Sequence, residues 1–79
     1  MARFYFHLHD DVDVPDNEGR ELPDLEAARE CATREARNCL AETIKEKGRL
    51  VLHRHIDIVD ERGEVLETVR FGDTVQIEY

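Results

Sequence analysis

The sequence contains two His-x-His pairs, a spacing that is suited to binding a metal ion. The first is His7-Leu8-His9 and the second is His53-Arg54-His55. On a strand, residues two positions apart project to the same side about 7 Å from each other, so both imidazoles of a pair can reach one ion. If the two strands are neighbours in register, His7, His9, His53 and His55 predict a site for Zn²⁺, Ni²⁺ or Cu²⁺, supported by Asp57 or Asp10.

The same histidines also fit a plainer interpretation, as exposed polar residues on a solvated sheet face. Both interpretations stay open, because the sequence fixes neither the neighbourhood nor the register of the two strands. The histidines could also have a function without a metal ion. Imidazoles titrate near ~6.5, so clustered histidines would make that face, and any interface on it, sensitive to pH.

Other catalytic chemistries find little support. The chain contains no serine, which excludes a Ser–His–Asp triad. Cys31 and Cys39 have no base assigned by the sequence, and the glycines are isolated turn residues rather than a phosphate-binding loop. The acidic loop over 10–19 lacks the glycine and glutamate positions of an EF-hand. We therefore expect a protein that is not an enzyme, with no catalytic residue and no cofactor apart from a metal ion.

Length and charge restrict the class of protein further. At 79 residues the chain has room for one domain, which we place over 1–79. Its 11 Lys+Arg and 19 Asp+Glu give a net charge of −8, which disfavours nucleic acid and anionic lipid as partners. The sequence predicts neither a secretory signal nor a membrane span, and Cys31 and Cys39 are expected to lie too far apart on a helix to form a disulfide. We expect a cytoplasmic protein.

Hydrophobic periodicity predicts an α+β fold, in which one long helix packs on one face of a three- to four-stranded, mainly antiparallel sheet. Alternation of apolar and polar residues indicates the strands, and Asp24 and Gly48 are typical of the two ends of a helix. The predicted elements are a strand over 3–9, a short strand over 18–22, a helix from Asp24 to about Lys47, strands over 50–59 and 64–71 joined by a turn at 60–63, and a short strand or extended tail over 75–79.

The predicted helix has a stripe of mostly small side chains, comprising Leu25, Ala28, Ala32, Ala36, Cys39, Leu40 and Thr43. Cys31 falls well off this stripe. Because small residues let a helix lie close to a sheet, the bulk of the core must come from the strands. We expect it to come from Phe4, Phe6, Ile56, Ile58 and Val69.

Three segments resemble a domain family of unknown function from rhizobia and related alphaproteobacteria. They are the opening residues 3–10, the stretch from Asp16 to Ala28 and the hairpin from Ile58 to Leu66, and the likeness covers nearly the whole chain. His7 and Asp10 match the family's opening motif, whereas His9, His53 and His55 are not assigned to any family feature. The resemblance implies a bacterial cytoplasmic α+β domain and no particular activity.

One helix covers only one face of a sheet, so the other face meets solvent or a partner. That face, or an edge strand, is our predicted interface for a homodimer or for another protein with which this acidic chain pairs. A fold-level likeness to the partner-binding domain of HicB-type antitoxins makes an antitoxin-like role one form of this prediction. The alternative is a small metal- or ligand-binding domain, which requires residues 3–9 to lie beside residues 51–57. The predicted interface residues are Tyr5, His7, His9, His53, His55 and Asp57.

Overall fold

A computed structural model describes residues 1–79 as one helix packed on a four-stranded antiparallel sheet. The predicted α+β fold class is confirmed, including the short hairpin strand before the helix. The elements are β1 (Ala2–His9), β2 (Arg20–Leu22), α1 (Leu25–Lys47), β3 (His55–Val59), β4 (Val65–Arg70) and a 3-10 helix (Phe71–Asp73). The strand order in the sheet is β2-β1-β3-β4.

The two ends of α1 lie where the sequence predicts them. The Asp24 carboxylate accepts a hydrogen bond from the backbone N–H of Ala27 at 2.9 Å, which satisfies one of the donors left unpaired in the first turn. At the other end Gly48 has a φ of 63°, and its N–H donates to the carbonyl of Ile44. Only glycine adopts this left-handed conformation without steric cost, so the helix stops here.

Small residues on α1 bring the helix against the sheet. Ala28, Ala32 and Ala36 are completely buried, and the large apolar side chains of the strands fill the space beneath them. The expectation that Phe4, Ile56 and Ile58 supply this core is confirmed, while Phe6 and Val69 are partly buried against it. The core cluster consists of Phe4, Ala28, Ala32, Ala36, Leu40, Ile56, Ile58 and Phe71.

The strand predicted over 50–59 is shorter than its alternating pattern suggests, since β3 begins at His55. Its neighbours explain the difference. β1 ends at His9 and β4 ends at Arg70, and both of these residues pair with His55. The segment 50–54 therefore has no neighbouring strand with which to form a ladder. One backbone hydrogen bond, from the Phe71 N–H to the Arg54 carbonyl, continues the pairing beyond His55.

The C-terminal part of the chain also differs from the prediction. Phe71 leaves β4, begins the 3-10 helix and is completely buried. The residues after it form no strand, so the alternative of an extended tail is the correct one for 75–79. A β-bulge shifts the register of β4 so that Val59 pairs with Val65 and Ile58 with Glu67, which leaves Leu66 as the extra residue.

Cys31 corrects a further expectation, because it is buried although it lies off the predicted apolar stripe. Its Sγ accepts a hydrogen bond from Arg20 Nη1 at 2.9 Å, so β2 covers this side of the helix. Both cysteines are free thiols, as predicted. No helix in the structure combines the length and the apolar character that crossing a membrane requires.

Candidate metal centre

The strands that carry the histidines lie side by side. β1 pairs with β3 in an antiparallel register that sets His9 opposite His55 and His7 opposite Asp57. Phe6, Leu8 and Ile56 alternate with these residues and pack toward α1. Since side chains alternate along a strand, the histidines and Asp57 project from the face away from α1, which we call the open face.

Three side chains converge at one point of the open face, and we call this group, His9, His55 and Asp57, the histidine–aspartate cluster. His9 Nε2 lies 3.0 Å from Asp57 Oδ2, and His55 Nε2 lies 3.9 Å from Asp57 Oδ1. The two imidazole rings stack with their centroids 4.8 Å apart and their planes 23° from parallel. One potential ligand atom from each residue lies within 4.8 Å of the other two.

Neighbouring side chains hold this cluster in position. Asp13 Oδ1 lies 2.9 Å from His9 Nδ1, and the Thr68 hydroxyl donates to Asp57 Oδ1 at 2.7 Å. Contacts of this kind orient metal ligands in many proteins, because a carboxylate on one ring nitrogen turns the other nitrogen toward the ion. In this chain they come from two further segments, the loop after β1 and the edge strand β4.

The two carboxylates next to His9 favour its protonated form. Both of its ring nitrogens face a carboxylate oxygen at about hydrogen-bond distance, which only the doubly protonated imidazolium satisfies as a donor on each side. The hydrogen bond with Asp13 raises the pKa of His9 above 6.5, and the charge of Asp57 adds to this increase, although burial opposes it. A cation bound at Nε2 would take the place of one proton and would keep the attraction of Asp57.

The other two histidines have different partners. His7 Nδ1 accepts a hydrogen bond from the backbone N–H of Asp16 at 2.9 Å, so it fixes the loop after β1. His53 precedes β3 and is exposed, with its Nε2 3.1 Å from Asp10 Oδ1. The structure thus brings together His9 and His55 of the four histidines. Tyr5, also assigned to the open face by the sequence, is half-buried opposite Val59.

A second group of potential ligands, Asp10, Asp11 and His53, lies next to the first but includes a cation of its own. Arg54 Nε lies 2.7 Å from Asp10 Oδ2, although the contact lacks hydrogen-bond geometry. A hydrogen bond from the backbone of Asp11, with help from His53 and Arg54, lowers the pKa of Asp10. Because the guanidinium already balances this carboxylate, the second group is a poorer site for a metal cation.

Asp16 is a structural residue that the sequence interpretation missed. Its carboxylate accepts hydrogen bonds from the backbone N–H groups of Phe6, Glu18 and Gly19 at 3.1–3.2 Å. Burial raises the pKa of Asp16, but these three bonds outweigh that effect and leave the pKa below its usual value. The sequence signal is the run Asp16-Asn17-Glu18-Gly19, since aspartate often caps the backbone two or three residues ahead in a turn.

The thiols lie away from the open face. Burial raises the pKa of Cys39, which keeps it a neutral thiol at physiological pH. It lines a groove of about 450 Å³ between β1 and α1, together with Phe6, Leu8 and several charged residues. No histidine lines this groove, so it offers Cys39 no imidazole base.

Comparison with known proteins places the chain in a family. A family model described as Domain of unknown function (DUF6894) matches residues 3–72. The chain belongs to this family. In this DUF6894 chain the match includes every residue of the histidine–aspartate cluster, together with Asp13 and Thr68. No curated protein and no solved structure matches the chain. The likeness to HicB-type antitoxins stays a prediction.

Proposed function

We propose that this domain is a small, non-enzymatic metal-binding module that holds one divalent transition-metal ion on its open face. The proposed ligands are His9 Nε2, His55 Nε2 and one carboxylate oxygen of Asp57. The convergence of these three side chains carries the proposal, because two imidazoles and a carboxylate are a common ligand set for Zn²⁺ and other first-row metals.

The distances support a site that needs only a small adjustment. Ligand atoms around one Zn²⁺ lie about 3–3.5 Å from each other, given metal–ligand bonds of about 2.0–2.1 Å. His9 Nε2 and Asp57 Oδ2 are already 3.0 Å apart. His55 Nε2 is 3.9 Å from the same carboxylate, a gap that a rotation of the half-exposed imidazole closes.

The surrounding charges also favour a cation. Asp13 and Asp57 bring two carboxylates to His9. A divalent ion that replaces the Nε2 proton adds positive charge where two negative charges already lie. Three protein ligands leave at least one coordination position open, which water or a donor from another molecule would fill.

Native mass spectrometry with added Zn²⁺ tests the proposal. We expect the wild-type chain to bind one Zn²⁺, and His9→Ala and His55→Ala each to lose it. His7→Ala and His53→Ala are the matched controls, because each removes the other imidazole of a His-x-His pair and neither removes a proposed ligand. Both controls should still bind Zn²⁺.

Two results would contradict this assignment. Stoichiometric Zn²⁺ on both His9→Ala and His55→Ala would show that the cluster is not the site. Loss of Zn²⁺ in His53→Ala, with retention in His9→Ala, would move the site to the group around Asp10. Circular dichroism of each variant in a chelating buffer separates lost metal binding from lost folding.

The cellular setting forms part of the same proposal. Two free thiols on α1 suit a reducing compartment, so we propose a cytoplasmic location. We also propose a rhizobial or related alphaproteobacterial origin, which the resemblance of the opening strand, the loop and the hairpin supports. Subcellular fractionation of the native host, followed by detection of the protein in each fraction, checks the location.

A further inference from the structure

The outer edge of β4 presents backbone groups that have no partner within the chain. In the register of β3 and β4, the Phe71 N–H donates to the Arg54 carbonyl. Antiparallel strands alternate between residues whose polar groups face the neighbour and residues whose groups face away. The N–H and C=O of Thr68 and Arg70 therefore point away from β3, toward the free side of the sheet.

The bulge at Leu66 interrupts this edge near its start, but from Glu67 to Arg70 the strand is regular and has little of the protection that edge strands usually carry. The other edge strand, β2, has only three residues, whereas β4 has six and contains neither proline nor lysine. Val65 and Leu66 are exposed on β4, at 53% and 40%. Within a chain of net charge −8, the strand Val65–Arg70 carries one acid and one base and is locally neutral. Its acid, Glu67, is already paired with Arg29 of α1.

We infer that β4 pairs with β4 of a second copy of this chain, and that the two sheets join into one continuous antiparallel sheet. A two-fold axis at Thr68 makes the strand complementary to itself. It sets Thr68 opposite Thr68 and Arg70 opposite Leu66 of the second copy, so that no two like charges face each other. A two-fold axis at Glu67 would keep the same alternation of outward groups but would set two carboxylates opposite each other.

Arg70→Pro tests the pairing with little cost to the fold. Arg70 is exposed, its N–H faces away from β3, and its φ of −84° lies close to the angle that proline prefers. Proline removes that N–H and places a ring on the pairing edge. Arg70→Ala is the matched control, because it shortens the side chain and keeps the N–H.

Light scattering in a chelating buffer gives the readout and keeps this test independent of metal binding. We expect wild type and Arg70→Ala at twice the chain mass of 9.2 kDa, and Arg70→Pro at the mass of one chain. A monomeric wild type, a dimeric Arg70→Pro or a monomeric Arg70→Ala would each overturn the inference.

Amide hydrogen exchange of the wild-type chain provides a test that needs no variant. In a monomer the amides of Thr68 and Arg70 have no acceptor and exchange at rates typical of exposed groups. In the proposed dimer both are hydrogen-bonded, and their exchange slows by about tenfold or more as the protein is concentrated. Fast exchange at both positions in a sample of dimer mass would overturn the edge pairing.

Discussion

His9 and His55 lie directly opposite each other on β1 and β3, and their imidazole rings stack with the centroids 4.8 Å apart. The two residues belong to different His-x-His pairs. The pairs that stand out along the chain are thus divided in the fold, and each contributes one histidine to the cluster with Asp57. Predictions about the site follow from this cross-strand arrangement rather than from the two sequence motifs.

The titration of His9 should show the influence of its carboxylates. Asp13 and Asp57 raise the pKa of His9, so in the metal-free protein its midpoint should lie above 6.5. Protonated His9 stabilises the fold below pH 6.5, and this contribution is lost as the pH rises through the raised pKa. Nuclear magnetic resonance of the imidazole protons measures the midpoint, and Asp13→Asn should lower it.

The same proton links His9 to metal binding. Since the ion replaces the proton on Nε2, the apparent affinity for Zn²⁺ should fall as the pH drops through the His9 midpoint. Asp13→Asn should shift this dependence to lower pH together with the midpoint. A His9 midpoint below 6.5, or a Zn²⁺ affinity that does not vary with pH in this range, would contradict the prediction.

Thr68 should tune the metal centre without being a ligand. Its hydroxyl orients the Asp57 carboxylate through a 2.7 Å hydrogen bond. We expect Thr68→Val to weaken Zn²⁺ binding by about 10–100-fold, the usual effect of removing a group that positions a ligand. Isothermal titration calorimetry measures the affinity. Thr68→Ser keeps the hydroxyl and should bind Zn²⁺ as wild type does, so equal weakening in both variants would point to a packing effect instead.

Asp16 should stabilise the loop between β1 and β2. Asp16→Ala leaves the N–H groups of Phe6, Glu18 and Gly19 without their acceptor, and we expect a cost of about 1–3 kcal/mol in the free energy of unfolding. Urea denaturation at neutral pH measures this difference. Asp11→Ala is the control, because the Asp11 side chain is almost fully exposed and should change stability little.

The contribution of Asp16 to the stability of the fold should also depend on pH. Its pKa is lowered in the folded protein, so the stabilisation is present above the unfolded value of 3.8 and is lost as the pH falls through the lowered folded pKa. The gap between wild type and Asp16→Ala should therefore narrow at strongly acid pH. A gap that stays constant from neutral to strongly acid pH would show that the carboxylate charge is not involved.

Most helices and strands of this protein can be located from local sequence patterns. Helix ends at Asp24 and Gly48, strands at alternating apolar residues, and the turn at Gly63, whose φ is 83°, all depend on residues close together in the chain. The α+β class follows from the order of these elements. The sequence also shows what a histidine site would require, namely that residues 3–9 lie beside residues 51–57.

Which histidines meet depends on contacts between distant parts of the chain. His53 leaves the predicted strand because both neighbours of β3 stop at the level of His55, and a strand cannot extend beyond the partners that bond its backbone. His7 faces Asp57 across the sheet but bonds to Asp16 from the loop. Register, strand length and loop contacts all arise from pairs of residues far apart in the chain, and local sequence patterns do not specify such pairs.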